Sequence, residues 1–573
     1  MELAGWIGGW NLGHAGNAIT GARYLAEAIK AVGIGHVFFI DAVLRKTLLE
    51  LEQVGVARVL AHSEKSVAYM ADGYARISGR AAVCMAQSVG AANLAAALQD
   101  AYLHRSPVVA LTGRKPPLYR HRNAYQELDH APLFAPVTKF HAEVEVGDEL
   151  PILFAQALRE ATTGTPRPAH LDINGLLGEL IEDAVLSAPE LPVASLGDPA
   201  RARPAPDPRE IEAAARALAL SRRPVIVVGT GGMQSGAQAA VRALAERCAI
   251  PIASSLGGRG IVPTTHPLYV GVVGTYSAPP ANRIVHEADL VVYVGCHTGD
   301  QVTNNWTVPR PGTPIVQIDI DGAEIGRNYA GVIGVLGDPR RAVEALVEAI
   351  DGRRGGTDWS EAAAGQVRRW RAEMEPHLRS GARAIRVERL CHEITQALPE
   401  DGVLVSDTGY SGIWTGTLID LPHATQTYLR AAGSLGWAFP ASLGAKCGAG
   451  DRPVVCFTGD GGFYYHLSEL ETARRRGLAV VTVVNNNSAF AQGIVKVRKL
   501  YEPSGGNADE TITFGPTDFA AVARAFGVEG IRVESPDEIA PALRRALSHG
   551  GPVVVDVVTD PLVRAPEPWS PPA

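Results

Sequence analysis

Gly459-Asp-Gly-Gly462 and Asn485-Asn-Asn487 carry the residue types in this chain best suited to hold a diphosphate and a divalent cation. Two adjacent glycines let backbone amides approach an anion at a helix start. Asp460, the Asn487 amide oxygen and a backbone carbonyl, assigned to Ala489, are hard oxygen ligands of the kind Mg²⁺ prefers. An apolar run precedes Gly459, helical periodicity spans 464–477, and a second apolar run over 478–484 leads into the asparagines. The pattern predicts strand, glycine-rich turn, helix, strand. A right-handed crossover brings both strand ends to one edge of a parallel sheet, so Asp460 and Asn487 are expected to meet although 27 positions apart. Gly-Asp-Gly alone is more often a tight turn. The amide cluster ending a buried strand favours a binding site.

The elements around this motif repeat through the chain. Helical periodicity alternates with short β-branched runs at 36–40, 81–85, 107–111, 169–173, 224–228, 290–294, 314–319, 403–406, 454–458, 480–484 and 553–558. This predicts an α/β protein of three doubly wound domains with mainly parallel sheets. The expected blocks are 1–188, 209–350 and 386–560, joined by linkers at 189–208 and 351–385 and followed by a loose tail at 561–573. The 573 residues, 46% hydrophobic and 20% charged, suit three or four domains. A net charge of 53 − 60 = −7 without a basic stripe argues against nucleic acid or anionic membrane and favours a small-molecule ligand. No apolar run reaches 18 residues, and Met1–Asn17 lacks the basic start of a signal peptide. Six scattered cysteines without metal-site spacing read as thiols in a reducing compartment, hence a cytoplasmic protein.

Gly459-Asp-Gly461, a helix and Asn486-Asn487 resemble the diphosphate motif of thiamine diphosphate enzymes. His62-Ser-Glu64 to Arg80 resembles the segment that supplies the activating glutamate in the acetolactate synthase-like branch. Gly113, Ala124-Tyr-Gln-Glu127 and Val137-Thr-Lys139 follow in family order, Gln317 to Asp321 with Glu324 resembles the central domain, and Ala431 to Pro440 resembles the segment that bends the cofactor. Benzaldehyde lyase, oxalyl-CoA decarboxylase and 2-hydroxyacyl-CoA lyase are similar too. The resemblance implies pyrimidine-binding, central and diphosphate-binding domains, with thiamine diphosphate and Mg²⁺ as cofactors. It also implies at least a homodimer, because family sites combine the first block of one subunit with the third block of another; dimer and tetramer both remain open.

The resemblance implies a role for each matching residue. Glu64, after Ser63 as expected N-cap, would hydrogen-bond the aminopyrimidine ring and favour the tautomer that removes the thiazolium proton; without the resemblance it reads as a carboxylate stabilising a helix start. Leu435 would wedge between the cofactor rings, and Gly409 with Gly459, Gly461 and Gly462 would meet the diphosphate. Gln126 would orient substrate, with a structural glutamine as the alternative. Three departures concern substrate: Phe39 to Leu44, including Asp41, stands where relatives carry a Gly-Pro-Gly-like turn; Gln87-Ser-Val-Gly90 replaces Ser-Gly-Pro-Gly; and Ala491-Gln492 replaces a Gly-hydrophobic pair. Gln87, Asp41 and Gln492 are therefore expected on the substrate side.

Gly229 to Gly236 is not a clean nucleotide fingerprint, and His297 to Gln301 stands where flavin-binding relatives have an arginine-containing run. An empty structural central domain is expected ahead of FAD or ADP. The basic loop 114–122 reads equally as an anion receiver, including for coenzyme A phosphates, and as a solvated loop; Lys496, Arg498 and Lys499 pose the same choice. Arg474-Arg-Arg476 reads as an exposed helix face.

The activity implied is 2-oxo acid decarboxylation with carboligation. Cleavage of an acyloin or a 2-hydroxyacyl-CoA without CO₂ release is the alternative, and a non-catalytic cofactor-binding protein a remote one. Residue types do not fix donor, acceptor or stereochemistry, since one methylene shifts preference by only about 1–3 kcal/mol.

Overall fold

A computed structural model describes residues 18–350 and 357–572. The reading of Met1–Asn17 and the start of the second linker, 351–356, lie outside the described residues. Three six-stranded sheets, each parallel throughout, form the framework. The first has the spatial order Ala57–Leu60, His36–Phe39, Ala82–Ala86, Val108–Arg114, Ala169–Asn174, Phe140–Val144. The third runs Thr427–Arg430, Val403–Ser406, Val454–Gly459, Val480–Asn486, Val553–Val558, Glu529–Val533. In both, the chain order of the strands is second, first, third, fourth, sixth, fifth. The central sheet instead runs Tyr269–Val272, Ile252–Ser254, Pro224–Val228, Leu290–Val294, Ile315–Asp319, Ile333–Leu336, which is third, second, first, fourth, fifth, sixth. Its order reverses between the first and fourth strands, the usual place for a ligand in such sheets. The inner strands are continuous apolar runs because helices cover both faces; every residue of Val480–Asn486 is buried.

The outer domains share one hydrophobic core, which includes Phe38, Met70 and Leu94 of the first and Trp437, Val454 and Phe463 of the third. At its centre, helix Glu64–Ser78 crosses helix Ala438–Ala449 at backbone contact distance. A Cβ on Gly73 would overlap the Ala441 carbonyl, and one on Gly444 the Met70 carbonyl, so only glycine permits this crossing. Trp437 donates its indole N–H to Asp72 (2.9 Å), and Arg76 binds the Arg430 carbonyl (2.6 Å) while pairing with Asp72 and Asp100. Charges this deeply buried are tolerable because each has a hydrogen-bonded partner.

The first linker is docked: Leu196 joins the first domain's core and the Gly197 carbonyl accepts from Ala81 N (2.8 Å). The chain end departs from the loose tail expected. Trp569 packs edge-on to His286 with its ring 5.6 Å from the Arg283 guanidinium, its carbonyl accepts from Asn282 (2.9 Å), and Ser570 accepts from Asn304 (3.0 Å). An exposed tryptophan gains by covering apolar surface, a contact invisible to a local reading of a proline-rich segment. No helix among the described residues is long and apolar enough to cross a membrane.

Candidate functional site

Strand Val454–Gly459 and strand Val480–Asn486 pair in parallel, with Gly459 opposite Asn485, which sets their ends side by side. Helix Asp460–Phe463 starts directly at the first strand's end. The Asp460 carboxylate accepts from Gly461 N (2.7 Å) and Asn487 N (3.1 Å), so the two sequence-predicted ligands meet. Burial pushes the Asp460 carboxyl up to about 6 against the pull of the amides. A buried carboxylate balanced only by amides is suited to a cation. Ser488 takes φ +55°, turning the chain so that Ala489 N meets the Asn487 amide oxygen (3.2 Å). The other two asparagines are structural: Asn485 accepts from Thr559 (2.6 Å), and Asn486 donates to Asp556 (2.8 Å) and the Thr517 carbonyl (2.9 Å). Gly461 is pressed by the Phe490 ring and Gly462 by Asp407, each within 3 Å of where a Cβ would sit.

This donor set fits Mg²⁺ with a diphosphate. One carboxylate, one side-chain amide oxygen and a carbonyl leave half of an octahedral shell to phosphate and water, as Mg²⁺ favours. No cluster of three or more His, Cys, Asp or Glu able to hold a metal exists among the described residues.

Gly409 and Gln492 join this edge; a Cβ on Gly409, whose φ is +64°, would lie 2.9 Å from the Gln492 amide oxygen. Asp407 was not singled out from sequence, yet it connects three segments. Its carboxylate accepts from Thr408 N (2.8 Å), Gly436 N (3.1 Å) and Thr458 Oγ1 (3.0 Å), binding the segment of Leu435 to those of Gly409 and Gly459. A charged residue ending a buried strand was the available signal. Burial pushes its carboxyl up to about 6. Leu435 itself is half-buried.

Glu64 starts its helix, with Ser63 accepting from Lys65 N (3.2 Å) as the cap. Its carboxylate is half-buried, receives Asn93 Nδ2 (3.2 Å) and lies 2.6 Å from where a Cβ on Gly90 would sit. Gln87 donates to the Gln126 side chain, and Ser88 Oγ to the Gln126 carbonyl (2.5 Å). Gln126 holds φ +60°, a left-handed conformation that concentrates at functional sites in non-glycine residues. Glu64, Gln87 and Gln126 thus cluster on the first domain, apart in their contacts from the Asp460 group. Asp41 joins neither, forming an exposed ion pair with Arg45 (2.9 Å). Around it, Ala42 and Leu44 take φ +71° and +44°, so the turn keeps left-handed geometry without glycine.

The basic loop is less available than its composition suggests. Arg114 and Arg120 are both engaged by Glu143 and Glu145, whereas Arg122 is exposed. Arg498 pairs with Asp509 (2.8 Å). Arg474, Arg475 and Arg476 form an exposed face, with Arg475 also reaching the Leu60 carbonyl (2.7 Å). A cavity of about 310 Å³ opens at the central sheet's reversal point, lined by Arg105, Arg203, Gly231, His297 and Asp319 among others. The glycine turn beside it is bonded inward: Gly229 N to Val294 O (3.0 Å), Gly231 N to Gly295 O (2.9 Å) and Gly232 N to Gly229 O (3.2 Å).

Comparison with known proteins assigns the chain to a family. Residues 19–133 match the thiamine pyrophosphate enzyme N-terminal TPP binding domain, 211–346 the central domain and 407–557 the C-terminal TPP binding domain. The chain is 31% identical to a probable acetolactate synthase large subunit of Methanocaldococcus jannaschii, covering 96% of this chain and 93% of that protein. It is 29% identical to the acetolactate synthase isozyme 2 large subunit of Escherichia coli K12 (95% and 96% covered) and 26% to the acetolactate synthase large subunit of Lactococcus lactis (94% and 92%). With both binding domains and the central domain matched in order along nearly its whole length, the chain belongs to the thiamine pyrophosphate enzymes, in their acetolactate synthase branch.

Proposed function

We propose that the protein decarboxylates a 2-oxo acid and joins the remaining fragment to a second carbonyl compound, as an acetolactate synthase does. The observation that carries this reading is the buried Asp460 carboxylate bonded to Asn487 at a glycine-rich helix start. Asp460, Asn487 and the Ala489 carbonyl would hold Mg²⁺; Gly409, Gly459, Gly461 and Gly462 would admit the diphosphate; Leu435 would pack against the cofactor. Thiamine diphosphate, when bound, supplies the carbon nucleophile and electron sink for chemistry beside a carbonyl. Glu64 would hydrogen-bond the aminopyrimidine ring, Gln126 and Gln87 would orient substrate oxygens, and Gln492 would border the acceptor. Asp41, exposed and paired, would act on the acceptor side only through the shape of its turn.

The functional unit is a homodimer or homotetramer, with Glu64 of one chain facing the Asp460 group of another. Exposed apolar residues support this: Val89 and Tyr125 flank Gln87 and Gln126, and Phe490 lies beside the asparagine loop. The inward-bonded glycine turn supports a structural central domain ahead of FAD or ADP, which the visible spectrum and extracted nucleotide content of purified protein would check. Six free cysteines support a reducing, cytoplasmic setting.

The test is ¹³C NMR of protein supplied with thiamine diphosphate, Mg²⁺ and labelled pyruvate. One CO₂ and one acetolactate per two pyruvates is the expected result. Release of an aldehyde from an acyloin or a 2-hydroxyacyl thioester, with no CO₂ from any 2-oxo acid, would establish the lyase reading instead. Glu64→Ala is expected to lower turnover about 10²–10⁴-fold with cofactor still bound.

A further inference from the structure

The junction between the outer domains contains two buried carboxylates in equivalent places. In each domain the third strand leads into helices, Gly90–His104 in the first and Asp460–Phe463 with Glu469–Arg475 in the third. Asp100 lies on the former, Glu469 on the latter, and both are at most 1% exposed. Each accepts backbone amides from the opposite domain, on the segment following that domain's second strand. Asp100 receives Ala432 N (2.8 Å), Gly433 N (3.2 Å) and Ser434 N (3.0 Å), immediately before Leu435. Glu469 receives His62 N (3.0 Å), two residues before Glu64, and is steadied by Thr472 Oγ1 (2.7 Å).

We propose that Asp100 and Glu469 are reciprocal positioning residues: the first domain's aspartate sets the segment bearing Leu435, and the third domain's glutamate sets the segment bearing Glu64. The physical reason lies in the two segments. Each is a short stretch after a strand end whose amides face away from the sheet ladder and need acceptors. A carboxylate can take several amides at once, and a charge-assisted bond holds them more firmly than a neutral one. Neither carboxylate touches the residues expected at the cofactor, so each acts only through the backbone it holds. The inference rests on the assignment of Leu435 and Glu64 to the cofactor.

The test compares Asp100→Asn and Glu469→Asp, with Glu469→Gln as the conservative variant. An asparagine offers one acceptor oxygen where Asp100 uses two, and an aspartate is one methylene short of His62. In protein without cofactor, amide hydrogen exchange should rise about tenfold or more at 432–434 in Asp100→Asn and at His62 in Glu469→Asp, each leaving the other segment unchanged. In loaded protein, Asp100→Asn should weaken thiamine diphosphate binding about tenfold while leaving exchange of the cofactor's thiazolium C2 proton within about twofold. Glu469→Asp should do the reverse, and Glu469→Gln, whose oxygen still reaches His62, should restore both quantities. Equal effects of both variants on one quantity, exchange changes spread over the whole chain, or loss of the fold would overturn the proposal. Glu64→Ala separates the premises: persistent C2 exchange there would remove Glu64 as activator, while amide exchange would still judge the two carboxylates.

Discussion

The outer domains and the central domain use similar strands but different orders; the outer pair share a core to which both contribute many residues, whereas the central domain lends the third domain's core little more than Leu256 and Val272. In the outer pair, glycines at the helix crossing bring two domains together; in the central domain, glycines bring one turn against its own sheet. The same residue type therefore serves assembly of a site in one region and internal packing in the other. This explains why a glycine-rich turn is informative at Gly459–Gly462, where Asp460 and Asn487 converge, and uninformative at Gly229–Gly232.

The sharpest way to break the comparison is Gly444→Val. Its side chain would meet the Met70 backbone, which has little room to move, so a loss of about 3 kcal/mol or more is expected in urea unfolding. Cofactor binding should fall with it.

A second route uses pH. His466 lies at the same junction, 4% exposed, with Nδ1 2.9 Å from Ser66 Oγ, the Tyr69 ring edge-on beside it and Lys65 nearby in charge; burial pulls it down to about 4. Because the folded value lies below the ordinary 6.5, the unfolded chain takes up the proton first as pH falls. Stability from this group is present above about 6.5 and lost progressively toward 4. His466→Gln should remove up to about 2.4 kcal/mol of that acid sensitivity, measured as the difference in unfolding free energy between pH 7 and pH 4.5.

Gly229→Ala probes the other side. Its Cβ would overlap the Gly295 carbonyl, giving a loss of about 2 kcal/mol confined to the central domain, with thiamine diphosphate affinity unchanged. A matching drop in affinity would erase the distinction between the regions. The smallest effect is expected at the strained turn: Ala42→Gly should raise stability by roughly 0.5–1 kcal/mol, since glycine adopts φ +71° without penalty but loses more chain entropy. Thermal unfolding would read it.

Much of the fold was legible because parallel strands buried on both faces leave continuous apolar runs. The convergence of Asp460 and Asn487 was legible too, since a crossover rule predicts where strand ends return. What sequence did not convey depends on contacts between distant segments. Asp100, Asp407 and Glu469 look like ordinary helix or strand-end carboxylates until the amides they receive, some 330 to 400 residues away for Asp100 and Glu469, come into view. Arg114 and Arg120 likewise read as free cations until the edge-strand glutamates neutralise them. The docked Trp569 has no local pattern at all. Asp41 was expected at a site because its turn departs from relatives, whereas the structure gives it an ion pair with its neighbour.

The shared outer core has a consequence for synthesis on the ribosome. His62 and Glu469 bond across 407 residues, with the whole central domain made in between. At about 5–20 residues per second, the apolar face of helix Glu64–Ser78 waits roughly 20–80 s for its covering helix. During that interval the nascent first domain presents an aggregation-prone surface, so production in a cell should depend on chaperone supply and improve when translation of the third domain is not slowed.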